Sequence, residues 1–230
     1  MKILWHTTSH RHIEEYSLSS RFFNKSDFLK KHCDVLVCCN KDSVELDELR
    51  SNCTYECESC EVVRSTNPSS NARNLGQFVS LNETFHKFEK YDLVIHSTPD
   101  VYVVDDRHLI ALLEEELDTD NHMIVDHHPY HPNCKYLYCT DFFIFKPRKI
   151  TNFFGDELDP MAHIAESHLY KKIHGLNIPH RVICRGVDSL RWQVDEYGLI
   201  HNHNNDIIRN ILNNDIRPDQ ATAYSHNYFG

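Results

Sequence analysis

The chain lacks any apolar run approaching the roughly 18 residues that a membrane span requires. Its first residues, Met1 to His6, lack the long apolar core of a secretory leader and read instead as a first strand. It also lacks a basic excess: 24 Lys and Arg stand against 34 Asp and Glu, a formal net charge of −10. Nucleic-acid binding through a general basic surface is therefore not expected. An anionic substrate would need a local cation or a metal to hold it. No internal repeat and no low-complexity tract is visible. What remains is an ordinary globular composition, 40% apolar and 25% charged, in 230 residues, enough for one large domain with a sizeable core. We read residues 1–217 as that domain and 218–230, polar and turn-prone, as a tail or a linker into further domains.

The nine cysteines are an odd number, several in strand-like runs, which fits free thiols in a reducing compartment and a cytoplasmic location. Cys53, Cys57 and Cys60 are spaced by four and three residues, but a structural zinc would need a fourth ligand that the neighbourhood does not supply. Histidine is abundant at 18 residues, so most must be surface residues and a few are candidate ligands.

Strand-like segments alternate with helical ones. Lys2 to Thr7, Asp34 to Cys39, Cys60 to Val63, Leu93 to Ile95, Met123 to Val125, Phe142 to Phe145 and Val182 to Cys184 read as strands. Helices are read over Leu18 to Lys31, over residues 42–51 as an exposed segment with an acidic, polar face, and, from apolar residues at helical spacing, from Leu75 to Phe88, from Leu109 to Leu117, from Met161 to Ile173 and from Ile207 to Leu212. Asp105 and Asp106 are placed to cap the fourth of these. The alternation predicts an α/β fold: a mixed, mostly parallel, Rossmann-like central sheet flanked by helices.

In such a sheet ligands bind beyond the carboxyl ends of the strands. The apolar run Leu93-Val94-Ile95 breaks at Ser97-Thr98-Pro99, and the first strong charge after it is Asp100. A metal held against a diphosphate needs only one or two protein oxygens, so one carboxylate at a strand edge can serve. The plainer reading of Asp100 is a turn-forming aspartate after proline. His201 and His203 alternate in sequence and would share a side if extended, and neutral imidazole binds divalent transition metals. The plainer reading is a polar surface loop. Asp141 opens the aromatic strand Phe142 to Phe145, as strand-end trim or as a group that orients a substrate hydroxyl. Glu166 lies on a helix, where it is surface charge or, if burial raises its pKa, a general base. Asn71-Ala-Arg73-Asn-Leu-Gly76 opens a helix, as a cap or as a phosphate site with an arginine.

With these segments in place, the chain resembles nucleotide-sugar glycosyltransferases of the GT-A fold. The resemblance runs from the first strand to about His203. It is carried by Asn71 to Gly76, by Tyr91 to Ile95 with Pro99-Asp100-Val101, by Thr140-Asp-Phe-Phe143 with Lys146-Pro147, by Ala165-Glu166, by Arg185-Gly186 and by Ile200-His201. It is similar to a viral and algal type of glycosyltransferase-like sequence in which "NPDV" and "TDFF" segments occupy these places. The resemblance implies transfer of a hexosyl or pentosyl group from a nucleotide sugar, with UDP as the common nucleotide, to a glycan acceptor. Thr7, Thr8, Arg73, Thr98, Asp100, Tyr102 and Arg185 would then line the donor site. Asp100 would match the last acid of the family's Asp-X-Asp motif and, with His201 and His203, hold Mn2+ or Mg2+. Glu166 would be the base and Asp141 would touch sugar or acceptor. The chain departs from the family at Thr98, where the first acid of the motif usually stands.

Two other readings compete. Asp126-His127-His128 after a strand resembles a motif of DHH-type manganese phosphoesterases, but residues 2–15 contain no closely spaced aspartates and His96 stands where that family has an acid. Thr98 also leaves open a sugar-binding domain without turnover.

Overall fold

The computed structural model describes residues 1–9, 13–40, 44–66, 75–127, 138–151, 153–155, 165–183 and 195–214. Its elements are β1 (Ile3–Ser9), α1 (Ile13–Phe23), α2 (Asp27–His32), β2 (Cys33–Cys39), α3 (Leu46–Asn52), β3 (Cys60–Arg64), α4 (Gly76–Thr84), β4 (Leu93–Ser97), β5 (Val101–Val103), α5 (Arg107–Leu117), β6 (Met123–His127), β7 (Tyr138–Phe145), α6 (Ala165–Gly175), β8 (His180–Ile183), β9 (Leu199–His201) and α7 (Asn205–Leu212). The segment 218–230 lies outside the described residues. None of the described helices is long and apolar enough to cross a membrane.

Seven strands form one sheet in the order β3-β2-β1-β4-β7-β6-β8, with β7 antiparallel to both neighbours and the other six strands running one way. The expected mixed, mostly parallel sheet flanked by helices is what forms. Strands buried on both faces explain the nearly unbroken apolar runs, as in the fully buried β2. One face packs Ile3, Trp5, Val35, Leu93 and Ile95 against Tyr16 and Phe23 of α1 and Leu109, Leu112 and Leu113 of α5. The other packs Leu4, Leu36, Val94, Phe143 and Phe145 against Phe78 and Leu81 of α4 and Leu169 and Ile173 of α6.

The helix expected over Leu18 to Lys31 is two helices. Ser26 adopts an extended backbone, and its hydroxyl accepts the Leu29 N–H at 3.0 Å, so it caps α2 and ends the preceding turn. The same hydroxyl donates to Asp106, whose side chain therefore makes no cap hydrogen bond to α5. Asp105 does serve locally, accepting the Arg107 N–H at 3.1 Å.

Two histidines lie inside the sheet. His6 and His96 are register partners on β1 and β4, with their Nδ1 atoms 2.9 Å apart. Cys38 Sγ is 3.3 Å from His6 Nε2, and Gln77 Oε1 is 3.4 Å from His96 Nε2. One assignment of protons satisfies all three contacts: Cys38 donates to His6, His6 Nδ1–H to His96, and His96 Nε2–H to Gln77. Burial lowers the His6 pKa to about 3, and burial, reinforced by His6, holds His96 well below its ordinary value. Both rings are therefore neutral.

Beyond the carboxyl edge of β4 the chain turns into a second, two-stranded sheet, β5 with β9. Gly198 makes this pairing possible. Its φ is +74°, and a Cβ there would fall 1.7 Å from the Asp105 carbonyl oxygen. The Gly198 carbonyl accepts from the N–H groups of Val104 at 2.8 Å and Asp105 at 3.1 Å. Outside this small sheet, Leu18 and Phe22 of α1 and Ile207, Ile208, Ile211 and Leu212 of α7 close a third apolar cluster around Tyr102 and Ile200.

Candidate metal and donor site

The site is built where β1 and β4 meet, at the point where the strand order reverses. The turn Thr98-Pro99-Asp100 leaves β4, closed by the Val101 N–H to the Thr98 carbonyl at 3.1 Å and tied to β7 by the Thr98 N–H to the Asp141 carbonyl at 2.9 Å. Because β7 runs against its neighbours, its first residues lie at this same edge, which brings Asp141 beside the turn. On the other side, Asn202 N–H donates to the Asp100 carbonyl at 3.1 Å, extending the β5–β9 pairing past His201.

Asp100, His201 and His203 converge. His203 Nδ1 lies 2.7 Å and His201 Nε2 3.4 Å from Asp100 Oδ2. One ligand atom from each of the three lies within 4.8 Å of the others, and among the described residues this is the one such group of histidine, cysteine and carboxylate side chains. The extended geometry expected of both histidines holds only for His201. β9 ends there, and His203 sits in the following turn, where Asn202 Oδ1 accepts the Asn204 N–H at 2.7 Å. Asn204 then caps α7, accepting from Asp206 and Ile207. The turn, not strand alternation, aims His203 at Asp100.

Burial disfavours the charged form of Asp100, yet its contacts with His201 and His203 outweigh that and hold the carboxyl well below the usual carboxylate range. His201 Nε2 is buried and makes no well-aligned hydrogen bond to the described residues. An anionic oxygen and two imidazole nitrogens are a donor set that fits a divalent cation. Asp141 Oδ2 lies 3.6 Å from His201 Nδ1, on the far side of the ring from Asp100.

The other expected site residues divide. Thr7 on β1 and Ser97 on β4 are register partners, and both hydroxyls are buried without a hydrogen-bond partner. Thr98 Oγ1 is likewise buried and unsatisfied. Thr8 points to the opposite face, where its hydroxyl donates to Ser80 at 3.0 Å. Tyr102 lies in β5. It is 1% exposed, inside the α1–α7 cluster with Phe22 at 5.4 Å between ring centroids, because alternation along β5 turns it away from its neighbours Val101 and Val103. Glu166 lies in the first turn of α6 and outside the Asp100 cluster. Arg73, Arg185 and the expected cap at 71–74 lie outside the described residues. Ser97, the last residue of β4, is not among the site residues expected from the sequence, although it opens the break after the apolar run.

Of the rival triplet, Asp126 is buried in β6 beside a register shift, His127 ends the strand, and His128 lies outside the described residues. Cys53, Cys57 and Cys60 are free thiols and form no metal cluster with other described residues; burial pushes Cys53 up to about 12.

No protein-family model and no curated protein matches the chain by sequence. Solved structures do match by shape. A mannosyltransferase from Pyrobaculum calidifontis, determined with GDP-mannose and Mn2+, superposes with a TM-score of 0.59 at 12% identity over 82% of this chain. The chain spans 58% of that enzyme. A 4-diphosphocytidyl-2C-methyl-D-erythritol synthase from Anaerococcus prevotii gives 0.58 at 11% identity, covering 98% of this chain and 96% of its own. An active-site mutant of LgtC gives 0.53 at 12%, covering 89% and 88%. The fold is thus the GT-A fold of nucleotide-sugar glycosyltransferases, and the synthase shares its shape.

Proposed function

We propose that this protein is a glycosyltransferase that moves a hexosyl or pentosyl group from a nucleotide sugar, a UDP-sugar in our reading, to a glycan hydroxyl. The observation that carries the proposal is the convergence of Asp100, His201 and His203 at the switch point of a GT-A sheet. Those three residues would hold a divalent cation, Mn2+ or Mg2+, which when bound neutralises charge on the departing diphosphate.

The chain's own groups supply the rest. Thr7, Ser97 and Thr98, at the carboxyl ends of β1 and β4, carry buried hydroxyls without partners among the described residues, which we assign to hydrogen-bonding a donor at the sheet edge. Asp141, a quarter exposed, holds His201 in orientation on one side and leaves carboxylate surface for a sugar hydroxyl on the other. Glu166 is the proposed base that takes the proton of the acceptor hydroxyl as the anomeric carbon gains oxocarbenium character. Arg73 and Arg185 are assigned to the diphosphate from sequence.

The test is a screen of nucleotide-sugar hydrolysis without acceptor, paired with thermal shift in the presence and absence of Mn2+. Release of nucleoside diphosphate, with stabilisation requiring sugar nucleotide and ion together, supports transfer. Stabilisation without turnover on any sugar nucleotide reduces the protein to a binding domain. Pyrophosphate release from nucleoside triphosphates instead would assign it to nucleotidyl transfer.

A further inference from the structure

The donor atoms around Asp100 are unevenly divided between oxygen and nitrogen. Asp100 supplies the one carboxylate of the cluster. Thr98, two residues earlier, offers a neutral hydroxyl and no second negative charge. The remaining two donors are imidazoles, and both are held in place by the backbone. His201 is paired in β9, with Asp141 Oδ2 3.6 Å from its Nδ1 and Asp100 Oδ2 3.4 Å from its Nε2, so an ion bound at Nε2 would leave the Nδ1–H facing Asp141. A carboxylate behind a histidine is the arrangement that fixes ring tautomer and raises ligand basicity. His203 sits in the Asn202–Asn204 turn that leads into the α7 cap, which places its backbone where Nδ1 reaches Asp100.

Spacing agrees with a shared ion. Cis donors on an ion with bonds of about 2.1 Å stand about 3.0 Å apart in an octahedral shell. The two nitrogens lie 2.7 and 3.4 Å from Asp100 Oδ2, on either side of that figure. Mg2+ prefers oxygen donors and octahedral shells rich in water, whereas imidazole suits the later transition ions. A set of two nitrogens and one carboxylate therefore penalises Mg2+ far more than Co2+ or Zn2+, with Mn2+ between them.

Resting on the metal-site reading above, we infer that His203 is the specificity-determining ligand of this site: its imidazole completes a two-nitrogen, one-carboxylate set that admits Co2+, Zn2+ and Mn2+ and rejects Mg2+. The plain alternative is that His203 merely hydrogen-bonds Asp100 and leaves ion choice untouched.

The experiment uses the full chain and the ions themselves, Mg2+, Mn2+ and Co2+, each alone and with UDP. Calorimetry gives affinity, and the visible absorption of Co2+ reports nitrogen ligation. The parent, His203→Ala, His203→Asp and Asp100→Ala are compared. His203 is partly exposed, so neither substitution opens the core, and the melting temperature without metal checks this. The expected result is Co2+ binding by the parent with no detectable Mg2+ binding. His203→Ala then loses at least the roughly tenfold in Co2+ affinity that removal of even an outer-shell partner costs, and its absorption band shifts. His203→Asp gains Mg2+ binding. The inference is overturned if the parent binds Mg2+ as well as Co2+, or if His203→Ala keeps the Co2+ affinity and spectrum while Asp100→Ala loses both. In that last case the metal site stands and only the role of His203 falls. If no ion binds the parent under either condition, the metal-site reading itself fails and takes the inference with it.

Discussion

Asp141 and Asp100 flank one imidazole: His201 has its Nδ1 3.6 Å from an Asp141 carboxylate oxygen and its Nε2 3.4 Å from an Asp100 oxygen. In the proposed site Asp141 would act on the cation through His201. Asp141→Asn is predicted to lower metal affinity by about 10–100-fold while leaving the melting temperature of the metal-free protein within about 1 °C, since surface substitutions of this kind stay near neutral. Asp141→Glu should recover part of the affinity. Equal metal affinity in the parent and Asp141→Asn would remove the positioning role.

Asp100→Ala is predicted to abolish the metal-dependent part of donor binding with the fold retained. Donor titration with and without Mn2+ checks this, circular dichroism serving as the control for folding. A variant that binds a nucleotide sugar in Mn2+ as tightly as the parent would show that the cation sits elsewhere.

Glu166→Gln is predicted to lower turnover by about 100-fold or more, the contribution typical of a general base, with donor affinity little changed. Steady-state rates and a donor titration on the same preparation separate the two effects. Unchanged turnover excludes Glu166 as the base.

Gly198→Ala is predicted to disrupt the β5–β9 sheet. The left-handed backbone alone costs about 1–3 kcal/mol for a residue with a side chain, and the Asp105 carbonyl leaves no room for a methyl group. Because His201 rides on β9, metal affinity should fall together with thermal stability. A fully stable variant with parental metal affinity would show that the turn at Gly198 adapts.

The buried His6–His96 pair makes an acid-lability prediction. Both folded-state pKa values lie below the unfolded value near 6.5, that of His6 at about 3. Below pH 6.5 the unfolded chain binds protons that the native pair refuses, so stability declines as pH falls from about 6.5 towards 3. The slope is about 1.4 kcal/mol per pH unit for each such site. Urea unfolding at a series of pH values checks it, and His96→Gln should have a shallower slope than the parent over pH 6 to 4.

Much of this fold is written in local pattern. The alternation of Leu93-Val94-Ile95 and its fellow strands with amphipathic helices such as α5 requires a sheet covered on both faces, and that is what forms. Chain breaks are harder to read. Ser26 interrupts a helical pattern that runs on through Phe28 and Leu29, because a cap hydrogen bond outweighs continued periodicity. Asp100 stands out in the sequence as the first acid after a buried strand. Its meeting with His201 and His203, a hundred residues on, depends on a two-stranded sheet of three residues per strand, too short to have a period. Tyr102 shows the converse: beside Asp100 in sequence, it faces the other way, into the cluster beneath α1 and α7. The protons shared by His6, His96 and Cys38 depend on register between three strands, which no single segment encodes.

The central claim is that Asp100, His201 and His203 grip one cation against the diphosphate of a nucleotide sugar. A crystal grown with Mn2+ and a UDP-sugar tests it most directly, through the anomalous signal of the metal. The account predicts a single strong peak about 2.1–2.3 Å from Asp100 Oδ2 and within bonding reach of both imidazoles, with diphosphate oxygens completing the shell. A peak elsewhere, such as beside Asp126 and His127, or donor bound with no metal at Asp100, would contradict it.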